Sequence, residues 1–260
     1  MSQTPKSDPH PAVGPVEQQM YERAEERGGC LCILLDPDRH ELDELSRAAE
    51  ASQAGDADFL FVGSSLLLKD TFDEAVEAVK KGSDLPVLIF PGDHSQVSGK
   101  ADALLFLSLI SGRNPEYLIG HHVLAAPRIH KLGLETIPTG YMLIESGRLT
   151  SVQYMSMTAP MPRDKPDIVT AHGLAARFLG MRLIYLEGGS GGENRVPAEM
   201  VRSLVDRVGL PVVVGGGIRK PEQARERVEA GASFVVVGNS LEHAWTSEAV
   251  RPLADAVHIR

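Results

Sequence analysis

The stretch PVVVGGGIRKPEQARERVEAGASFVVVGN, residues 211–239, decides the fold. It begins and ends with apolar runs rich in valine, PVVVGGG at 211–217 and FVVVGN at 234–239, which predict two buried strands. Between them, PEQARERVEAG at 221–231 has a proline near its first turn and a glycine after its end, as helices do. A strand, a helix and a second strand in this order predict a βαβ unit with parallel strands.

The same alternation extends towards the N-terminus as far as Gly28. Six more apolar runs have the length of strands: CLCILLD at 30–36, FLFVG at 59–63, PVLIFPG at 86–92, ALLFLSL at 103–109, YMLIE at 141–145 and LIYLE at 183–187. Three further stretches have helical patterns: residues 41–53, 73–81 and 197–208. Eight parallel strands with helices between them, in roughly 230 residues, predict an α/β fold, the (β/α)8 TIM barrel. A doubly wound open sheet is the competing arrangement.

Two connections depart from this alternation. GDHSQVSGK at 92–100 is too short and too rich in glycine and serine for a full helix, which predicts that the third helix is reduced to a loop. GRLTSVQYMSMTAPMPRDKP at 147–166 is polar, proline-rich and longer than most interior loops, so it could cover or gate a site. Residues 1–15 are predicted to be a flexible N-terminal leader, which leaves 16–260 as one barrel domain.

The amino-acid composition limits which binding partners and which cellular compartment are expected. The chain has 26 Lys and Arg against 35 Asp and Glu, a net charge of -9 with no basic run, so nucleic acid is not an expected partner. Cys30 and Cys32 lie two apart in a strand-like run, where both thiols face one side and form no good disulfide; this suits a reducing cytoplasm. The apolar runs are far shorter than the roughly 20 residues of a membrane span, so any lipid must be reached from the water side.

Glycines follow three consecutive predicted strands. In a TIM barrel the chemistry lies at the carboxyl ends of the strands, and here the sixth, seventh and eighth strands end in residues 188–192, 215–217 and 238–239. A glycine-rich turn leaves backbone amides uncovered, and a helix that begins there favours a bound anion. One such turn alone would be a tight connection, but three at neighbouring strand ends predict a phosphate site.

Two aspartates end the first predicted strand. Asp36 and Asp38 are separated by a proline, and Ser65 follows the neighbouring strand. Mg²⁺ prefers one or two carboxylates, with water and substrate phosphate oxygens in the remaining positions. Asp36 still belongs to the strand run and is the better metal ligand, with Ser65 as a further oxygen. Asp38 is instead expected to cap the helix that begins near Glu41.

Glu187 is the carboxylate best placed to act as a base. It ends the sixth apolar run beside the glycines, where partial burial and a nearby bound phosphate would both raise its pKa and make it a stronger base. A structural, hydrogen-bonded carboxylate is the alternative role. Tyr185 lies two residues earlier and therefore points to the same side of the strand, and Tyr141 lies on the preceding strand. Each tyrosine either packs in the core or offers a hydroxyl to the substrate.

Seven segments of the chain, in order from the first strand to the eighth, resemble one known family. They are LLDPD (34–38), VGSS (62–65), SGRNPEYLIG (111–120), TIPTGYMLIESG (136–147), YLEGGSGG (185–192), VVVGGGIR (212–219) and GASFVVVGNSLE (231–242). The family is that of geranylgeranylglyceryl phosphate synthase and heptaprenylglyceryl phosphate synthase. The LDPD motif resembles the larger branch of the family more than the short bacterial heptaprenyl branch.

The resemblance implies a Mg²⁺-dependent prenyltransferase. Such an enzyme joins sn-glycerol 1-phosphate to a polyprenyl diphosphate, here expected to be geranylgeranyl diphosphate, by an ether bond and releases diphosphate. The metal positions carried over are Asp36 and Ser65, Glu187 resembles the carboxylate that activates the glycerol hydroxyl, and Tyr141 resembles a tyrosine that orients the substrate. The residues that resemble the glycerol phosphate site of the family are Tyr185, Leu186, Glu187, Gly188, Gly189, Ser190, Gly191, Gly216, Gly217, Gly238 and Asn239. Family members are commonly oligomers, which implies a homo-oligomer, and the lipid product implies transient contact with a membrane surface.

A prenyl tail needs an apolar trough across the barrel mouth, and the reduced third helix offers an exit. Tryptophan in place of small residues near Phe90 or Phe106 should then shorten the accepted chain. Arg113 and Arg219 are the candidate partners of the diphosphate. Two other functions stay open: a phosphosugar isomerase or aldolase-type barrel, which would need another base or a strand-end lysine, and a non-catalytic barrel that binds a phosphate ligand.

Overall fold

Eight parallel strands close into a barrel in the computed structural model, which describes residues 13–242 and 245–260. Each strand pairs with the next along the chain, and the first pairs with the eighth. The strands are β1 (Cys30–Leu35), β2 (Phe59–Val62), β3 (Val87–Ile89), β4 (Ala103–Leu109), β5 (Glu135–Leu143), β6 (Leu183–Glu187), β7 (Val212–Gly215) and β8 (Phe234–Val237). The predicted TIM barrel is confirmed, and the open sheet is excluded by the β1–β8 pairing.

Nine α-helices lie within the described residues, most of them on the outside of the barrel. They are α1 (Pro15–Arg27), α2 (Leu42–Ala54), α3 (Phe72–Gly82), α4 (His121–Leu132), α5 (Ser151–Ser156), α6 (Pro166–Phe178), α7 (Ala198–Val208), α8 (Pro221–Glu229) and α9 (Ser247–Val257). A π-helical turn, Glu116–Gly120, leads directly into α4. Residues 90–102, between β3 and β4, contain no helix, so the predicted loss of the third barrel helix is confirmed.

Strand β5 begins six residues before the predicted run. Its first half, ETIPTG, includes a proline, a glycine and polar residues that break an apolar pattern, and the first residues are only partly buried. The backbone nevertheless pairs with β4 over seven positions, from Ala103 opposite Glu135 to Leu109 opposite Tyr141. Pairing along a neighbour therefore extended a strand that side-chain periodicity alone did not indicate.

The core has two layers because side chains alternate across each strand. Phe59, Phe61 and Tyr185 point into the barrel, whereas residues such as Leu60 and Leu186 pack outward against the helices. Cys30 and Cys32 both belong to the inner layer and are free thiols. The prediction that they share one face without a disulfide is confirmed.

Helix α1 closes the amino end of the barrel and was not predicted. Met20 is fully buried in the inner core, and the Glu135 carboxylate accepts hydrogen bonds from the backbone N–H groups of Val16 and Glu17 at the start of the helix. The helix begins at Pro15, inside the predicted leader, while residues 1–12 of that leader lie outside the described residues. Its sequence, PVEQQMYERAEER, is mostly charged, so its few inward apolar residues gave too weak a periodic signal.

A buried ion pair fixes this helix. The Glu17 side chain is fully buried, its carboxylate lies 2.7 Å from Nη2 of Arg182, and it accepts a hydrogen bond from the Tyr21 hydroxyl. Replacing Glu17 with Gln should lower the free energy of unfolding by about 2 kcal/mol, because a charge-assisted hydrogen bond is lost in a buried site. Urea unfolding measures this change. Glu26→Gln, an exposed change on the same helix, is the control, and equal stability of the two variants would contradict the prediction.

Candidate active site

A cavity of about 590 Å³ lies at the carboxyl ends of the strands. It combines a polar part, formed by residues after β1, β2 and β6–β8, with an apolar part between β3, β4 and α4. The structure brings most of the predicted site residues to its wall: Asp36, Ser65, Tyr141, Tyr185, Glu187, Ser190, Gly191, Gly216, Gly217, Gly238 and Asn239. Residues as far apart in sequence as Asp36 and Asn239 therefore share one space.

Three predicted substrate residues do not line the cavity. The side chain of Leu186 packs in the outer core, because alternation along β6 turns it away from Tyr185 and Glu187. The backbone N–H of Gly188 donates to the carbonyl of Gly215 at 3.0 Å, and that of Gly189 donates to Oε1 of Glu187. Gly188 and Gly189 thus hold the loop and the carboxylate in place instead of facing the cavity.

The glycine-lined recess is the part of the cavity where the loops after β6, β7 and β8 meet. Oγ of Ser190 donates to Oδ1 of Asn239 at 2.5 Å, which joins the first and the last of these loops. Gly216 has a φ of +85°, and a Cβ at this position would lie 2.4 Å from Oε1 of Glu187. Only glycine fits both this backbone conformation and this space, so the wall of the recess is bare backbone.

Glu187 lies beside this recess and is only 7% exposed. Burial raises the pKa of its carboxyl group to about 7, although the N–H of Gly189 and the neighbouring Tyr185 hydroxyl offset part of that rise. A carboxylate with this pKa accepts a proton near neutral pH much better than an ordinary glutamate does. Tyr185 lines the same cavity, so the predicted common orientation of these two side chains is confirmed.

Aromatic rings form the floor between the polar and apolar parts. Phe90 stacks on Tyr185 with ring centroids 4.9 Å apart, and Tyr141 meets both rings edge to face. Burial raises the pKa of each tyrosine hydroxyl well above its usual value, and the nearby Glu187 acts in the same direction. Both hydroxyl groups therefore stay protonated, so each can donate or accept a hydrogen bond but does not act as an anionic base.

Asp36 lies on the polar wall of the cavity at the end of β1, the strand next to β8. Its carboxylate accepts the backbone N–H of Asp38 at 3.0 Å and the hydroxyl of Ser64 at 3.2 Å, and Nε of Arg39 lies 3.4 Å away. Ser64 is thus the serine whose side chain contacts Asp36, while Ser65 lines the same cavity. Burial raises the pKa of Asp36 despite these donors.

The prediction that Asp38 caps α2 is wrong. Oδ1 of Asp38 accepts the backbone N–H groups of Leu68 and Lys69 at 2.9 and 2.8 Å, which ties the β1 loop to the loop after β2. Helix α2 is capped by Glu41, whose partner in a capping box is Glu44. Asp38 therefore binds the backbone N–H groups of Leu68 and Lys69 in a neighbouring loop instead of those at the start of α2.

The Asp36 wall fits a magnesium ion that the substrate completes. Among the described residues no group of three or more His, Cys, Asp or Glu side chains could hold a metal ion. At this wall a metal would meet the Asp36 carboxylate and the hydroxyl oxygens of Ser64 and Ser65, since Asp38 is bound to the amides of Leu68 and Lys69. That set matches Mg²⁺, which takes few protein ligands and fills its shell with water and phosphate oxygens. The raised pKa of Asp36 indicates a carboxylate that gains from a nearby cation.

Several cavity residues carried no signal in the sequence. Arg39, in the loop after β1, pairs at 3.0 Å with Glu242, which follows the neighbouring strand β8, a contact between residues 203 positions apart. Of the two arginines predicted to meet a diphosphate, Arg219 lines the cavity, whereas the guanidinium of Arg113 donates to the carbonyls of Ile110 and Gly112 outside it. The apolar arm of the cavity is lined by Val97, Leu104, Phe106, Ala125 and Ile129.

The long connection after β5 contributes to the rim of the cavity. It contains α5, whose Val152 and Met155 line the cavity, and Met161 forms a parallel bridge with Ile144. Asn114 donates to the carbonyl of Ser156 and so fixes the end of α5. The connection therefore lies over the site, as its length and composition predicted.

The fold and the site define a class. A closed parallel barrel with a bare-backbone recess at the ends of β6–β8, a buried carboxylate with a pKa near 7 and a second carboxylate across the mouth is the arrangement of (β/α)8-barrel enzymes that act on phosphate compounds. Residues 21–256 match the PcrB family, so the chain belongs to that family. The resemblance predicted from the seven sequence segments is confirmed.

Similar proteins agree with this assignment. Geranylgeranylglyceryl phosphate synthase of Chitinophaga pinensis is 44% identical over 226 residues, covering 87% of this chain and 89% of that protein. The enzyme of the same name from Korarchaeum cryptofilum is 44% identical over 228 residues, covering 87% and 93%. The crystal structure of (S)-3-O-geranylgeranylglyceryl phosphate synthase from Thermoplasma acidophilum, in complex with its substrate sn-glycerol-1-phosphate, superposes with a TM-score of 0.89 at 34% identity, covering 95% and 99%.

Proposed function

We propose that this chain transfers a prenyl group from a polyprenyl diphosphate, expected to be geranylgeranyl diphosphate, to sn-glycerol 1-phosphate. The observation that carries the proposal is the position of Glu187: its carboxylate lies between the glycine-lined recess and the aromatic floor that leads into the apolar arm. A phosphate ester in the recess and a hydrocarbon chain in the arm would therefore meet at this carboxylate. The names of the similar proteins support the same pair of substrates.

The reaction forms one bond and breaks one. The terminal hydroxyl oxygen of glycerol phosphate bonds to C1 of the prenyl chain, the bond between C1 and the diphosphate oxygen breaks with its electron pair leaving on diphosphate, and Glu187 takes the hydroxyl proton. The recess holds the phosphate of the acceptor and so fixes the hydroxyl near the carboxylate. Burial keeps water from competing for the same carbon.

Asp36, with the hydroxyl oxygens of Ser64 and Ser65 nearby, would hold Mg²⁺. When bound there, the ion supplies charge neutralisation for the diphosphate. Arg219, which lines the same cavity, adds a positive charge. The proposal includes a cytoplasmic location, assembly into a homo-oligomer and transient contact with a membrane when the lipid leaves. Among the described helices, none is both long and apolar enough to cross a bilayer.

The apolar arm should set the length of the accepted chain. Ala125 on α4 is 8% exposed and lines the arm with Phe106, so Ala125→Trp would fill its end. We expect turnover of a short prenyl diphosphate to be kept and that of a 20-carbon donor to fall about tenfold or more, because the buried space is lost. Steady-state rates with donors of graded length measure this. Ala126→Trp, on the exposed side of the same helix, is the control, and unchanged chain preference in Ala125→Trp would refute the role of the arm.

The direct test of the function is product formation. Labelled sn-glycerol 1-phosphate, a series of prenyl diphosphates and Mg²⁺ are incubated with the protein, and butanol extracts the lipid product. Label in the butanol phase that depends on both substrates is the expected result. Turnover of a phosphosugar without any extractable label would favour an isomerase or aldolase, and binding without turnover would favour a non-catalytic barrel.

A further inference from the structure

A second cavity, of about 390 Å³, lies between the loop after β6 and helices α7 and α8. Within the described residues, it shares no wall residue with the active-site cavity. Its lining is almost entirely polar or charged: Arg163, Glu193, Asn194, Arg195, Pro197, Ala198, Glu199, Glu226 and Arg227. We call this space the arginine cavity. At about 30 Å³ per water molecule, it has room for a hydrated small ion.

Arg227 is the residue that needs explanation. Its side chain is 4% exposed, yet in the part of the chain that is described no hydrogen-bond acceptor serves its Nε or Nη1. Oε2 of Glu226 forms an ion pair with Nη1 at 2.7 Å, but outside hydrogen-bond geometry, and the Glu226 side chain is 52% exposed. Buried Nε and Nη1 donors that make no hydrogen bond are costly even beside an ion-pair partner, which points to an acceptor that binds from solution.

Two further arginines present unused donors to the same space. Nη1 of Arg163 and Nε of Arg195 are buried and likewise find no acceptor among the described residues. The three arginines line the same cavity. Burial is the main cause that lowers the pKa of Arg227, the Glu226 carboxylate opposes this change, and repulsion by Arg195 and Arg163 adds to it. The ion pair with Glu226 offsets only part of the repulsion among the three guanidinium groups, and an anion between them would lower that repulsion and accept from the unused donors.

The N-terminus of α7 adds partial positive charge to the arginine cavity. This 11-residue helix begins at Ala198, its N-cap residue is Pro197, and no side chain caps its first N–H groups. Both residues line the arginine cavity. The first amides of a helix have no acceptor within the helix and favour a negative charge. The three acidic residues in the lining, Glu193, Glu199 and Glu226, are exposed and can turn towards solvent, whereas Arg227 cannot.

We propose that the arginine cavity binds a small oxyanion of the phosphate class, at a site separate from the glycine-lined recess. Guanidinium groups pair two donors with two oxygens of such an ion, and several arginines around one space suit a doubly charged tetrahedral anion better than a single carboxylate. The acidic residues that line the cavity, Glu193, Glu199 and Glu226, are all exposed, and of these Glu226 pairs with Arg227.

This site is linked to the active site through one loop. Residues 188–192, next to Glu187, continue directly into Glu193, Asn194 and Arg195 of the arginine cavity. The N–H groups of Glu193 and Asn194 both donate to the carbonyl of Ser146, and the side chain of Arg195 lies against Gly217 of the recess. An anion held by the arginines would therefore brace the loop that shapes the recess.

Titration calorimetry of the full chain with inorganic phosphate tests the proposal. Arg227→Met keeps the buried aliphatic stem but removes the charge, and Arg225→Met removes an exposed charge from the same helix as the control. We expect the unchanged chain and Arg225→Met to bind one more phosphate per chain than Arg227→Met, or to bind that phosphate at least tenfold more tightly. Phosphate that still binds to Arg227→Met belongs to the recess.

Equal number and affinity of phosphates in all three proteins would overturn the proposal. If Arg227→Met does not fold, as judged by circular dichroism, Arg163→Gln replaces it with the same expected loss. The arginines could instead pair with carboxylates of another copy of the chain, and sedimentation of each variant tests this. If Arg227→Met or Arg163→Gln changes the mass of the oligomer but keeps phosphate binding, the proposal is wrong.

Discussion

Replacing Glu187 with Gln should lower kcat about 10³-fold while leaving the fold intact. Gln has the shape of Glu and keeps an oxygen for the N–H of Gly189, so the loop geometry survives. The amide cannot accept the hydroxyl proton, and loss of a general base typically costs 10²- to 10⁴-fold. Rates of butanol-extractable product, measured with saturating substrates, give the ratio. Glu222→Gln, an exposed change on α8, is the control for the loss of one charge.

The same carboxylate should set the pH dependence of the reaction. The pKa of Glu187 is raised to about 7, and only the ionised form accepts a proton. The turnover of the unchanged chain should therefore rise with pH and level off above about 7. Residual turnover of Glu187→Gln should lack this step. A profile that levels off near pH 5 would place the base elsewhere or leave Glu187 without a proton-transfer role.

As pH rises, the free energy of unfolding should fall, whereas turnover should rise. A carboxyl group whose pKa is about 7 in the folded chain, against 4.5 ordinarily, stays protonated in the folded state over a range where it ionises in the unfolded state. The folded chain therefore loses stability as pH rises from about 4.5 to 7, by on the order of 3 kcal/mol from this group. The Glu187→Gln variant lacks this ionisable group. Its free energy of unfolding relative to that of the unchanged chain should therefore be higher at pH 8 than at pH 5. Urea unfolding at both pH values measures the difference, and equal pH dependence of the two proteins would contradict the cause given for the shift.

Gly216→Ala should weaken binding of sn-glycerol 1-phosphate about 100-fold or more. The added Cβ would lie 2.4 Å from Oε1 of Glu187 and 2.6 Å from the backbone nitrogen of Gly189, so both must move. A 100-fold change corresponds to about 2.7 kcal/mol, a plausible cost for displacing a buried carboxylate and a loop together. Calorimetric titration with glycerol phosphate measures the affinity.

Gly180 provides a matched control for this change. Its φ of +83° is close to the +85° of Gly216, but a Cβ at Gly180 would meet nothing within 4 Å. Gly180→Ala therefore carries the same backbone strain, about 1 kcal/mol, without the clash, and should lose stability but not affinity. If both variants bind glycerol phosphate like the unchanged chain, the recess is not the acceptor site.

Local sequence patterns were sufficient where the decisive interactions are local. Alternation of apolar runs predicted eight strands, and the ends of those runs placed Glu187, Gly216 and Asp36 at one mouth because parallel strands share an end. Helix α1 was not predicted, because it is stabilised by contacts with the inner core at the amino end of the barrel and with Arg182, far along the chain. Asp38 was misassigned for a similar reason: its partners, Leu68 and Lys69, lie in another loop.

The sequence by itself determined the barrel, the missing third helix and the identity of the carboxylate beside the glycines. Only the tertiary structure decided the pKa of that carboxylate, the contact of Ser64 with Asp36 and the meeting of Arg163, Arg195 and Arg227 around one space. Periodicity reports which side of an element is buried, and it is set by neighbours a few positions away. Burial energies, ion pairs and hydrogen bonds depend on which distant groups the closed barrel brings within a few ångströms, and no spacing along the chain encodes that.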